Sequence, residues 1–411
     1  MRIAMLTNNY KPFVGGVPIS IERLSEGLRS LGHEVYIFAP SYEVQEDEPY
    51  VIRYRSRKKK IRGEFVVPDI FDRSVEKKFE IISFDLIHVH HPVLMGYTAL
   101  YLGKKYKIPV VFTYHTRYEM YLHYLKPYDY LLRHYNHNIE TGKRDQLYHL
   151  YVGSEKVVRL HNRIFTNRCD LVLAPTGSMK EYLEENGTNT NIEIIPTGLS
   201  DEDFTYDIDM VNTIRSKYLR DRKYLFVSIS RLEKEKNISF MLKGLERLKE
   251  RMGDCFRLLL IGDGTYKEEL IAEAKLLGLE DNVVFTGCIE HSIIHNYCRA
   301  GDVFLFASQS ETQGIVLLEA MAAGLPVIAV KATGVNDVVY DGFNGYLSGL
   351  DIVEWENGLE KILINTIQRD WMRQNALTEA RKYLSSKIAG RVEKLYKNLI
   401  FYQGMEHMCE N

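Results

Sequence analysis

Sulfur chemistry is thin in this chain. Its 411 residues include only five cysteines, Cys169, Cys255, Cys288, Cys298 and Cys409, with no CxxC spacing and no even set of pairs. That excludes a disulfide framework and a zinc site built on paired cysteines, and it suits a reduced compartment. An excess of either charge is lacking too. Lys and Arg total 53 against 55 Asp and Glu, a formal net charge of -2. No basic surplus argues for nucleic acid, and no acidic surplus argues for disorder. The longest apolar run, Gly314 to Val330, is broken by Glu319 and Pro326, so it is no membrane span. The apolar stretch behind Met1 is too short for a signal peptide. No GxGxxG or GxxxxGKS fingerprint occurs, and no Asp-x-Asp metal motif sits at the end of a strand-like run. What is there is an ordinary globular balance, 45% hydrophobic and 26% charged, at a length that suits two cores better than one. The expectation is a soluble, cytoplasmic, two-domain α/β protein.

Short apolar runs of strand length alternate with helical stretches throughout. Ile3–Leu6, Val35–Phe38, Leu86–Val89, Val110–Thr113, Leu171–Leu173 and Ile192–Ile195 form a first series. Leu225–Ile229, Leu258–Ile261, Val283–Phe285, Val303–Phe306 and Val327–Val330 form a second. A helix is expected to open near Pro18, with Ile21, Leu24 and Leu28 on one face, and to stop at Gly32. Strands separated by helices imply right-handed crossovers and parallel sheets buried on both faces. Two doubly wound units are therefore expected, parted near Pro196-Thr197-Gly198. The predicted domains are 1–197 and 198–384, with a final helix from 385 packing back on the first. Ligands of such sheets sit outside the carboxyl ends of the strands, in the cleft between the two sheets.

Three post-strand loops carry the chemistry. Gly15-Gly16 precedes the first helix, and two readings fit it: a strand–helix turn, or a backbone cradle for an anion at the helix N-terminus. Arg231 and Lys236, five apart after Leu225–Ile229, read either as a solvated charged loop or as two cations aimed at one diphosphate. Glu311 and Glu319, eight apart, flank a helix start at Gly314-Ile315-Val316, whose amides suit a phosphate. Glu319 is embedded in Leu317-Leu318 and Ala320-Met321, where a charge needs a partner or a ligand.

Taken with Gly287 in Phe285-Thr286-Gly287-Cys288-Ile289 and the Gly324-Leu325-Pro326-Val327 turn, this set resembles the retaining nucleotide-sugar glycosyltransferases of family 4. Those have the GT-B fold, two Rossmann-like domains facing each other across a cleft. The likeness runs from about residue 2 to about residue 365, nearly the whole chain. It implies that Arg231 and Lys236 bind the donor diphosphate and that Glu319 takes the ribose hydroxyls. It further implies that Glu311 with the amides of Gly314, Ile315 and Val316 holds the donor sugar and its phosphate. Gly15 and Gly16 would meet the diphosphate from the other domain, and the backbone near Ile289 would face the base. His115, ending Val110–Tyr114, matches the family histidine beside the reaction centre. The charge supplied by Arg231 and Lys236 implies no cofactor and no metal. Two departures stand out: Gln313 where the family often has phenylalanine, and Gly334-Val335-Asn336-Asp337 for the usual Gly-Gly-x-x-Glu.

The acceptor is read from two segments. His115-Thr116-Arg117-Tyr118-Glu119-Met120-Tyr121-Leu122-His123-Tyr124, joined to Glu311-Thr312-Gln313-Gly314, is similar to the bacterial diacylglycerol glucosyltransferases; simple packing of the aromatic run competes with that reading. Arg53, Arg55, Arg57, Lys58, Lys59, Lys60 and Arg62 form a basic run with no acid between Val51 and Gly63. It reads as a solvated hairpin or as peripheral contact with anionic membrane, and a phosphorylated soluble acceptor would use it equally well. The expectations are a nucleotide-sugar donor such as UDP-glucose and a lipid or small-molecule acceptor at the inner face of the cell membrane. A nucleotide-sugar 2-epimerase shares the architecture and is the rival from another class.

Overall fold

The computed structural model describes residues 1–13, 15–61, 65–69, 72–120 and 146–409. The chain divides into two compact units, Met1–Pro196 with Ile388–Asn411, and Thr197–Lys387. The sequence places the break at 197/198 and the returning segment from 385.

The first unit is built on a seven-stranded parallel sheet: β1 (Arg2–Leu6), β2 (Glu34–Pro40), β3 (Val51–Tyr54), β6 (Leu86–Val89), β7 (Val110–Thr113), β8 (Leu171–Ala174) and β9 (Ile192–Ile194). Their order is β3-β2-β1-β6-β7-β8-β9, with Ile3 opposite both Val35 and Leu86. Runs such as Leu-Ile-His-Val and Val-Val-Phe-Thr are buried along their whole length, as strands covered on both faces must be. A separate antiparallel hairpin joins β4 (Ser56–Ile61) to β5 (Phe65–Pro68). The helices are α1 (Gly16–Ser30), α2 (Ser74–Ile81), α3 (Met95–Tyr106), α4 (Gln146–Thr166) and α5 (Gly177–Glu185). Helix α1 opens two residues before Pro18, which the first turn tolerates because its amides have no intrahelical acceptor. The second unit carries six parallel strands: β10 (Tyr224–Ile229), β11 (Phe256–Ile261), β12 (Val283–Gly287), β13 (Val303–Phe306), β14 (Val327–Val330) and β15 (Gly345–Ser348). Their order, β12-β11-β10-β13-β14-β15, is that of a doubly wound nucleotide-binding sheet, with its switch point between β10 and β13. Around it lie α6 (Ile208–Leu219), α7 (Ile238–Met252), α8 (Lys267–Leu276), α9 (His291–Ala300), α10 (Ile315–Ala322), α11 (Ile352–Ile364) and α12 (Thr366–Ala380). Trp355 of α11 is fully buried on α7, where a Cβ at Gly244 would lie 2.6 Å from the indole.

The last helix, α13 (Ser385–Cys409), belongs from Ile388 onward to the first unit. Ile388, Ala389, Val392 and Tyr396 join Ile3 and Met5 of β1 in one apolar core. Strands β3 and β15 go beyond the strands read from the sequence, while the hairpin falls on the basic run that the sequence offered as a solvated hairpin. Val-Ile-Arg-Tyr and Gly-Tyr-Leu-Ser are short and mixed in polarity, and their pairing is supplied by a neighbouring strand rather than by their own pattern.

Candidate active site

The loops after β10 and β13 bring three of the expected residues together. Lys236 Nζ donates to Glu311 Oε1 at 2.6 Å, and Ser308 Oγ donates to the same oxygen at 2.8 Å. Burial pushes the Glu311 carboxyl up, but Lys236, Ser308 and the positive charge of Arg231 outweigh it and leave the group below its ordinary value. Glu311 is therefore an ionised, positioned carboxylate. Arg231 is half exposed and reaches Glu235 Oε1 at 3.3 Å. The turn that carries these cations depends on Gly262 and Gly264, which sequence reasoning passed over. A Cβ at Gly262 would lie 1.9 Å from the Ser230 carbonyl oxygen, and one at Gly264 would lie 2.3 Å from that of Leu232. The Gly-x-Gly spacing after a strand was the available signal.

Glu311 runs into Gly314, the left-handed N-cap of α10, where no side chain caps the helix and no acid occupies the first turn. The amides at Ile315 and Val316 thus open a helix whose dipole favours an anion. Gln313, the departure from the family pattern, has a structural account. Its Oε1 accepts from the Thr197 amide at 2.7 Å and its Nε2 donates to the Thr197 carbonyl at 3.0 Å. Gly334 closes over the same backbone, its would-be Cβ 2.7 Å from the Thr312 carbonyl carbon.

Glu319 is buried in α10 and forms a second cluster. Its Oε1 stands 3.2 Å from His291 Nε2, the first residue of α9, just past Ile289, which is half-buried against the core. Asp203, which closes a capping box with Ser200, completes the group. One ligand atom each from Asp203, His291 and Glu319 lie within 4.8 Å of one another, a donor set whose chemistry would accept a divalent cation. His291 and Asp203 were not foreseen, because single polar residues at element starts carry no periodic signal.

The remaining expected residues lie in the first unit. Gly15 is the extended N-cap of α1 and Gly16, exposed, its first residue; no side chain caps this helix either. His115 follows β7 and is half-buried. Its Nε2 lies 2.9 Å from His90 Nδ1, and the two rings stack with centroids 5.2 Å apart. His90 in turn lies against His88, centroids 4.2 Å apart, and His88 Nδ1 meets the Tyr396 hydroxyl of α13 at 2.6 Å. His91 Nδ1 accepts from the Asn8 amide at 3.1 Å. Burial holds His88, His91 and His115 down to about 3, so all three are neutral at pH 7. His90 Nε2 is buried and meets no hydrogen-bond partner among the described residues. A buried N–H without an acceptor is the rarer orphan, so the His90 proton belongs on Nδ1, donated to His115 Nε2. His115 is then the Nδ1–H tautomer, a hydrogen-bond donor through that nitrogen.

Two features bear on the acceptor side. The basic run is not a uniform solvated patch: Arg53 is turned inward, donating to the carbonyls of Lys11 and Pro40 at 2.9 and 3.2 Å, with Glu48 beside it. Those carbonyls need a donor, which is why this one arginine is only 12% exposed along its side chain. Arg57 is exposed, while Arg62 lies outside the described residues. Tyr118 is half-buried, and burial pushes its hydroxyl well above the ordinary value, in keeping with the packing reading of the aromatic run. Tyr121, His123 and Tyr124 lie outside the described residues.

Two family models match: Glycosyltransferase Family 4 over residues 14–203 and Glycosyl transferases group 1 over residues 210–379. The chain is 32% identical over 364 residues to the alpha-monoglucosyldiacylglycerol synthase of Streptococcus pneumoniae, covering 84% of this chain and 75% of that protein. It is 28% identical to the enzyme of the same name from Acholeplasma laidlawii, covering 97% and 98%. Among solved structures, sucrose-phosphate synthase from Thermosynechococcus elongatus matches with a TM-score of 0.76 at 20% identity, covering 98% of this chain and 99% of that one. HepE of Anabaena in complex with UDP matches at 0.73 and 18%, covering 97% and 100%. With its doubly wound units and its paired post-strand loops, this chain belongs to the GT-B glycosyltransferases, a family 4 segment followed by a group 1 segment.

Proposed function

We propose that the chain transfers glucose from UDP-glucose to a free hydroxyl of diacylglycerol, with retention at the anomeric carbon. The observation that carries this reading is the Lys236–Glu311 pair beside Arg231, set where β10 and β13 diverge and α10 begins. Lys236 and Arg231 are two cations for one diphosphate, and the α10 amides favour the phosphate next to the sugar. Glu311, held ionised, accepts from sugar hydroxyls, and Glu319 accepts from the ribose. His115, as the Nδ1–H tautomer, donates to the donor sugar and takes no proton. Retention follows from attack on the face the phosphate leaves. The bond from C1 to the phosphate oxygen breaks, the bond from C1 to the acceptor oxygen forms, and the acceptor proton passes to the departing phosphate. UDP leaves carrying that proton.

The acceptor assignment is supported by the similarity to two alpha-monoglucosyldiacylglycerol synthases, and the nucleotide by a fold neighbour solved with UDP-glucose. No helix among the described residues is long and apolar enough to cross a membrane. In this reading the lipid acceptor is met by peripheral contact at the cytoplasmic surface. Transfer needs no metal in this reading, because Arg231 and Lys236 neutralise the leaving group.

The test is to incubate purified protein with a panel of sugar nucleotides, with and without diacylglycerol in mixed micelles, with and without EDTA. UDP release that requires diacylglycerol, survives EDTA and yields an α-linked product by proton NMR is the expected result. Release that requires a soluble sugar instead would refute the lipid acceptor. Conversion of the donor without any acceptor would replace transfer by 2-epimerisation.

A further inference from the structure

Helix α4 carries an apolar stripe that is exposed among the described residues. Leu150 is 57% exposed, Val157 65%, Leu160 50% and Ile164 45%. At 3.6 residues per turn these four fall within an arc of roughly 80°. The helix's own packing face is elsewhere, with Asn162, Phe165 and Thr166 buried. Tyr97 of α3 borders the stripe, its hydroxyl 2.6 Å from His161 Nε2. Lys156, Arg159 and Arg163 are exposed along one side of it, and Glu155, 3.8 Å from Arg159, is the only acid between Ser154 and Thr166. A narrow apolar strip bordered by cations is the surface of a helix that lies in a membrane interface. The side chains enter the acyl boundary while the cations meet anionic headgroups.

We infer that α4 is the face by which this protein lies on an anionic bilayer. The inference rests on the lipid acceptor proposed above and relocates the membrane contact from the hairpin run Arg53–Arg62, of which Arg53 is turned inward. Charge decides the occupant. A second copy of this chain would present the same cations to their like, whereas a bilayer of anionic lipid offers them counter-charge along its whole plane.

The experiment places a reporter on the strip. Both native tryptophans, Trp355 and Trp371, lie in the other unit. Leu160→Trp therefore adds a signal that belongs to α4. With vesicles of phosphatidylglycerol and phosphatidylcholine, its emission should shift to the blue and be quenched by brominated acyl chains; with phosphatidylcholine alone it should do neither. The combined variant Val157→Ser, Leu160→Ser, Ile164→Ser should bind anionic vesicles about 100-fold more weakly. It should keep its circular dichroism and its turnover of dispersed dioctanoylglycerol. If the protein binds anionic vesicles but the introduced tryptophan is neither shifted nor quenched, another surface makes the contact and the inference is wrong. An emission already blue-shifted without lipid, or a dimer that the triple variant dissolves, overturns it as well. Failure of the proposed reaction reads differently: no dioctanoylglycerol turnover by the unaltered protein, with quenching intact, removes the acceptor and keeps the bilayer contact.

Discussion

In the reaction proposed above, Lys236 serves two partners in turn. Without donor, its ammonium neutralises the enclosed Glu311 carboxylate at 2.6 Å. With donor, it supplies charge to the diphosphate. Lys236→Ala removes both, and losing about 2–4 kcal/mol at the transition state slows transfer roughly 30- to 1000-fold in steady-state assays. Wild-type rates in a folded Lys236→Ala protein would dissociate this loop from the reaction. In the role proposed for His115, His90 is a positioning residue that fixes which nitrogen of His115 carries the proton. His90→Asn keeps a donor near the Nδ1 position and should hold His115 in the Nδ1–H form. His90→Leu removes the donor and should let the tautomer mix, read in nitrogen-15 shifts of the His115 ring. If the ring keeps its tautomer in His90→Leu, the pair is packing and nothing more.

Among the elements, the turn after β11 sets the geometry of the loop that carries Arg231 and Lys236. Gly262→Ala puts a methyl group 1.9 Å from the Ser230 oxygen at a φ of +133°, and should cost about 2–4 kcal/mol in urea unfolding. Gly278→Ala, at a φ of +65° with nothing nearby, should cost only about 1 kcal/mol, which separates the close approach from the backbone conformation alone. This turn also shows what a sequence does and does not reveal. Buried strands such as Val303–Phe306 announce themselves as apolar runs, and a charge such as Glu319 stands out because it interrupts one. The Arg231, Lys236 and Glu311 loops were legible because each follows such a strand. The close backbone approaches at Gly262 and Gly334 were not, because they arise only where the fold brings distant backbones together. His291 and Asp203 were equally silent, being single residues whose partner, Glu319, is far away in sequence. Gln313 looked like a defect of pattern; its two hydrogen bonds to Thr197 are a long-range choice that no local rule contains.

At the scale of the whole molecule, the two units should part company in acid. An unfolded histidine titrates near 6.5, whereas His88, His91 and His115 in the folded first unit titrate at about 3. Between those values the unfolded chain binds more protons, so their contribution is complete above about pH 6.5 and is lost as pH falls toward 3. Circular dichroism should therefore show an early acid-labile melting step that tryptophan fluorescence, confined to the second unit, does not follow. Coincident melting at pH 5 by both probes would refute it. The return of α13 to the first unit has its own consequence during synthesis. Ile388 to Tyr396 leave the ribosome only after the entire second unit, on the order of ten to forty seconds behind Pro196 at ~5–20 residues per second. Through that interval the face of the first sheet around Ile3 and Met5 lacks its cover, and the nascent chain offers chaperones an apolar surface that the finished protein conceals.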